Sequence, residues 1–207
     1  MADSIWPTIH AERRALADDL AGLRPELWKT QSLCTEWNVH EVLAHLVSAA
    51  KMTPPKFMAN FAGAGFKFDK FAAKQVATEA EGGPDATLAA FTAAQSRTSA
   101  PPGPKETWLG EAFVHGEDIR RPLGIRHSYP PESVARAIAF YARSNAIIGG
   151  RKRVDGLTLK ATDTDFSVGS GPLVEGPAIS LLLAASGRGS ALDELSGPGV
   201  DTLRQRG

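Results

Sequence analysis

Residues Gly110–Gly124 read GEAFVHGEDIRRPLG. Glu111, His115 and Asp118 recur at i, i+4 and i+7, the spacing that brings side chains onto one face of a helix. Pro122 and Gly124 then stop it. Trp108, Leu109, Ala112, Phe113 and Ile119 form an apolar side, so the periodicity predicts a helix over about 105–121. The Glu111, His115 and Asp118 strip runs along the edge of that side, beside Trp108 and Ile119. Such a strip reads either as one edge of a metal site or as a solvated face that happens to hold a histidine.

A second helix is clearer still. In TEWNVHEVLAHLVSAAK, residues 35–51, Val39, Val42, Leu43, Leu46 and Val47 sit at i, i+3, i+4, i+7 and i+8. Asn38 is a good N-cap and Glu41 follows three residues later, a capping-box pattern. His45 lies at the edge of the stripe, beside Val42 and Ala49, where it can point inward and keep a ring nitrogen for a ligand. His40, in the first turn, is expected to be solvated. His10 and His127 have no partner pattern.

Spacing alone does not choose among these histidines. Glu36/His40, Glu41/His45 and Glu111/His115 all share the acid-first i, i+4 pattern, and this composition gives roughly one acid–histidine pair at that spacing by chance, counting both directions. Glu41 is accounted for by capping. Asp118 is placed either to orient His115 through its other ring nitrogen or to pair with Arg121. Cys34 precedes the 35–51 helix, and a lone cysteine is more often a small buried hydrophobe than a nucleophile.

Around these two helices the chain has further segments. Ile5, Ile9, Leu16, Leu20 and Leu23 give a helical face over residues 5–23, and Pro25 breaks it. From Pro54 to Glu81 the reading is a loose phenylalanine-rich stretch, interrupted by Gly63 and Gly65, then a helix over about 67–80. Asp85 is expected to cap a helix over about 86–98. Pro130 and Pro131 open another that should run to about Ile148. After residue 151 the period changes: Leu157 and Leu159 alternate with polar neighbours, DTDFSVGSGP reads as a turn and a second strand, and PAISLLLAASGRG as an apolar helix with a glycine stop. The expected organisation is a helical bundle over 1–150 and a small α+β domain over 151–207.

Composition limits the function. The chain has 207 residues, 43% of them apolar, which suits a folded core. Its 23 basic and 23 acidic residues balance, removing a general electrostatic case for nucleic acid or an anionic membrane. Arg151-Lys152-Arg153 is the one local basic cluster, and it reads as a solvated linker. No apolar run approaches the ~20 residues of a membrane span. The opening MADSIWPTIHAERRALADDL lacks the apolar core of a secretory signal. The single cysteine excludes an internal disulfide and a multi-cysteine zinc site. A cytoplasmic, soluble protein is the expectation.

The run Ser32–Leu46, SLCTEWNVHEVLAHL, followed by Glu111–Gly124, resembles the mycothiol-dependent maleylpyruvate isomerase family of the DinB-like metal-binding superfamily. Cys34, Trp37, Val39, His45 and Leu46 carry the first part of the likeness, and Glu111, His115 and Asp118 the second. GPAISLLLAASGRGSALDELSGPG, residues 176–199, resembles the family's short C-terminal domain, with Gly187-Arg188 closing its apolar helix.

The resemblance implies a mainly α fold, a DinB-like four-helix-type bundle followed by a small α+β domain. It implies a divalent metal, most often zinc, held by His45, Glu111 and His115 with Asp118 behind His115, and mycothiol as thiol cosubstrate. The implied chemistry is attack of a metal-activated thiol on a small electrophile, giving an isomerase or an S-transferase. The same ligands would also serve a hydrolase that activates water, or a non-catalytic metal- or ligand-binding protein. Arg188 is the candidate catalytic residue, reaching a substrate carboxylate; capping its own helix is the competing role. The expected partners are the electrophile and mycothiol, with a homodimer as a candidate assembly and neither nucleic acid nor membrane.

Overall fold

The computed structural model describes residues 4–145 and 149–207. Contacts divide it into two compact units. The first holds the chain through Trp108 together with His115–Arg126, and the second holds Leu109–Val114 and His127–Gly207. The expected domain cut at residue 150 falls inside the second unit. Among the described residues no helix is long and apolar enough to cross a membrane.

In the first unit, α1 (Trp6–Leu20), α2 (Val39–Lys51), α4 (Phe68–Ala80) and α5 (Gly83–Ala94) pack together, with α2 against both α4 and α5. The capping box forms as expected. The Asn38 side chain accepts from the Glu41 N–H at 3.0 Å, and Glu41 Oε2 accepts from the Asn38 N–H at 2.9 Å. From this fixed start the helix turns Val39, Val42, Leu43, Leu46 and Val47 into a core shared with Leu16, Leu20, Trp28, Phe91 and Ile119. Cys34 packs partly buried against the same cluster.

The stretch expected to be loose is a helix, α3 (Pro54–Gly63). Thr53 caps it, and two prolines fit the first turn, where their missing N–H groups lose nothing. No residue of α3 is buried, and Phe57 and Phe61 meet Phe71 of α4 edge-on. Asp85 lies inside the first turn of α5, not at its cap, because Pro84 starts the helix earlier. His40 corrects another expectation: its Nε2 lies 2.9 Å from Thr87 Oγ1, and burial lowers its pKa below the usual histidine value.

Helix α6 (Lys105–Arg120) ends as its sequence predicts. Gly124 adopts φ +70°, and the Ile125 N–H turns back to the Arg120 carbonyl at 3.0 Å. Arg120 is fully buried, its Nε donating to Asp19 Oδ2 at 2.7 Å with Glu12 beside it at 4.0 Å. These contacts tie the end of α6 to α1.

In the second unit, β1 (Thr158–Ala161) lies between antiparallel β2 (Ser167–Gly169) and parallel β3 (Leu173–Gly176). Leu159 faces Val168 on one side and Val174 on the other. The third strand was not expected, since LVEG is too short to declare a period. Helix α7 (Pro131–Tyr141) ends before Ile148; residues 146–148 of the expected helix lie outside the described residues. Arg151-Lys152-Arg153 belong to a short helix, α8 (Gly150–Val154), in which Arg153 is half-buried. Helix α9 (Ala178–Ala185) is buried on nearly every side, as a sequence apolar but for Ser180 requires, with α7, α8 and the sheet around it. A last helix, α10 (Val200–Arg206), packs on α8.

Candidate metal centre

α2 delivers His45 and α6 delivers Glu111 and His115, one helical turn apart. Each offers one ligand atom, and these atoms all lie within 4.8 Å of one another. The three residues are half-buried. The i, i+4 pattern could not separate Glu111/His115 from the other two pairs. What separates it is that a second histidine meets it from α2, while Glu41 is consumed by its cap and His40 by Thr87.

The histidines are held from behind. His115 Nδ1 lies 2.9 Å from Asp118 Oδ2, and the Asp118 side chain is wholly buried. That contact fixes the ring and makes Nε2 the nitrogen with which His115 can ligate. Arg121 engages Glu117 at 2.6 Å, one turn back on the same helix. The Leu33 N–H donates to the Asp118 carbonyl at 3.2 Å, so the loop before α2 also grips this turn of α6.

Trp37 stacks on His45 with ring centroids 4.9 Å apart and planes 28° apart, and His45 meets His115 edge-on at 4.8 Å. The indole covers one face of the His45 ring and limits its rotation. Sequence reasoning placed Trp37 only by resemblance. Its role needs the loop geometry around Ser32, whose hydroxyl donates to the Trp37 carbonyl at 2.6 Å.

Two imidazoles and a carboxylate match the three-protein-ligand set of catalytic zinc sites, which leaves a further position for an exogenous group. Ligands about 2.1 Å from a tetrahedral ion lie about 3.4 Å apart, a small closure from the observed spread. The donor set fits a divalent metal, and the carboxylate behind His115 is the support such sites use.

Arg188 follows the glycine stop of α9. The Arg188 N–H donates to the Leu183 carbonyl at 2.9 Å and the Gly187 N–H to the Ala184 carbonyl at 3.0 Å, with Gly187 at φ +86°. Its side chain donates from Nη1 to the Ser186 carbonyl at 2.9 Å, the capping contact. Its charge also acts on Tyr141, on which Glu111 acts as well. Within the second unit Arg188 therefore belongs to the same electrostatic neighbourhood as Glu111.

Residues 9–110 match the family model for the mycothiol maleylpyruvate isomerase N-terminal domain. Over those residues the chain is a member of the mycothiol maleylpyruvate isomerase N-terminal domain family. Two solved structures share the fold of this family member: the crystal structures of the mycothiol-dependent maleylpyruvate isomerase and of an alanine mutant of it. Their TM-scores are 0.62 and 0.63 at 16% identity, covering 93% of this chain and 91% of the other. No curated protein matches the sequence.

Proposed function

We propose that this family member is a metal- and mycothiol-dependent enzyme acting on a small electrophile, as an isomerase or an S-transferase. The observation that supports it is the meeting of His45, Glu111 and His115, with Asp118 buried behind His115. These three residues would hold the metal, with zinc favoured by the donor set. A bound metal would keep a coordinating thiol deprotonated at neutral pH, giving a strong nucleophile without a protein cysteine.

The chain's own groups do the rest. Asp118 holds the His115 tautomer, and Trp37 shields His45 from water on one face. Arg188 offers a guanidinium to a substrate carboxylate, in addition to its contact with Ser186. We place the reaction in the cytoplasm, where thiols stay reduced.

The test is maleylpyruvate turnover by metal-loaded protein with and without mycothiol. Turnover is expected only when both metal and mycothiol are present, with product analysis separating isomer from thioether. Turnover without the thiol would favour the water-activating hydrolase, and protein that takes up no metal would overturn the reading.

Since the attacking sulfur comes from outside, Cys34→Ser should keep its metal and most of its turnover. A Cys34→Ser protein that keeps metal and fold but is inactive would make Cys34 the nucleophile.

A further inference from the structure

α3 and α4 pair as a hairpin, with Asn60 Nδ2 donating to Gln75 Oε1 at 3.3 Å between them. Their phenylalanines make one continuous aromatic cluster. Phe57 and Phe61 meet Phe71 with ring centroids 5.2 and 6.0 Å apart, Phe66 meets Phe61 at 5.5 Å, and Phe68 meets Phe71 at 6.0 Å. Phe71 is buried, but the outer members are not. Among the described residues the exposed large hydrophobic side chains are Met58, Phe66 and Phe68, and all three belong to this hairpin. Single exposed apolar side chains need no explanation, whereas a contiguous patch marks a contact surface.

The backbone singles out Phe66. It holds φ +58°, in the left-handed region, and is the one residue other than glycine to do so among the described residues. A bulky side chain is strained there, and glycine or asparagine would suit the turn between the two helices better. A ring kept in a strained turn and left 65% exposed contributes little to the core, so the strain points to a use outside it.

Charge identifies the occupant. Between residues 54 and 78 the chain carries Lys56, Lys67, Lys70 and Lys74 against the single acid Asp69, and all five are exposed. The even charge of the whole chain conceals this local surplus of three positive charges. Lys67, Lys70 and Lys74 recur at i, i+3 and i+7, along one side of α4, and Lys67 stands between Phe66 and Phe68. A second copy of the chain would bring like charges together. Protein interfaces favour arginine and are depleted in lysine. An anionic bilayer surface answers both features. It takes aromatic rings into the headgroup boundary, while lysines lay their stems along the apolar patch and reach the phosphates.

We propose that the α3–α4 hairpin is a docking surface for an anionic lipid membrane. Phe66, Phe68 and Met58 enter the interface, and the four lysines face the headgroups. No helix crosses the bilayer. The contact uses none of the metal-centre residues and does not depend on the proposed chemistry.

Co-sedimentation of the full chain with vesicles tests this. At low salt the protein should bind vesicles of equal phosphatidylglycerol and phosphatidylcholine at least about 100-fold more tightly than phosphatidylcholine alone, since each lysine near an anionic surface strengthens binding about fivefold. Raising the salt to about 0.5 M should release it, because screening then acts within a few ångströms. Lys67→Glu combined with Lys70→Glu should weaken anionic binding by more than about 100-fold. Phe66→Gly should weaken it about tenfold while keeping or raising the melting temperature, because glycine relieves the strained turn. A lowered melting temperature with unchanged binding would make the ring merely structural and overturn the proposal. Equal binding to both vesicle types, binding to neither, or unchanged binding in both variants also overturns it. So does a dimer in sedimentation velocity that Phe66→Gly dissociates, which would assign the face to a second copy.

Discussion

Replacing His115 with alanine is expected to strip the protein of its metal and leave it folded. Among the described residues, His115 is one of three side chains whose ligand atoms converge on the site. Losing a supporting contact behind a ligand already costs 10–100-fold in metal affinity, so loss of the ligand itself should cost more than about 100-fold. The imidazole contributes little packing at a half-buried position, and metal-free variant and metal-free wild type should agree in stability to within about 1 kcal/mol. Metal analysis beside a thermal melt of both proteins checks the pair of outcomes. Full metal retention would mean that a different set of residues binds it.

The largest effect on stability is expected from Arg120→Ala. Arg120 is fully buried, donates to Asp19 and lies beside Glu12, itself only 6% exposed. Its removal leaves buried carboxylate without its cation and opens space under the last turn of α6. Breaking a buried pair by deleting one partner costs about 3–5 kcal/mol, measurable by denaturant unfolding. Asp118 is two residues away on the same helix, so metal affinity should weaken alongside. A loss below about 1 kcal/mol would show that the pair behaves like a screened surface bridge.

Local chemistry made much of this protein legible. Asn38 and Glu41 announce the start of α2, and Pro122 and Gly124 the end of α6, because capping and chain reversal depend on residues within one or two turns. The Asp118–His115 contact follows from i, i+3 spacing on one helix. Other features depend on residues far apart in sequence. Nothing near His40 reveals that Thr87 waits for it, and nothing in VHEVLAH says that His45, unlike His40, meets a carboxylate on another helix. α3 escaped because its phenylalanines, Phe57 and Phe61, are only half-buried and make no buried stripe. Gly110 inside α6 does not announce that the Tyr141 ring of α7 packs against it.

Tyr141, the last residue of α7, packs its ring so close to Gly110 of α6 that a Cβ there would lie 2.7 Å from Tyr141 Cζ, and this approach binds two positions in descent. A chain that keeps the tyrosine at 141 has no room for even a methyl group at 110, whereas a chain with a smaller residue at 141 has. Mutational drift at either position is then conditional on the other. Across relatives that share this packing, glycine at 110 and tyrosine at 141 should be gained and lost together, a pattern of covariation that any collection of sequences could reveal.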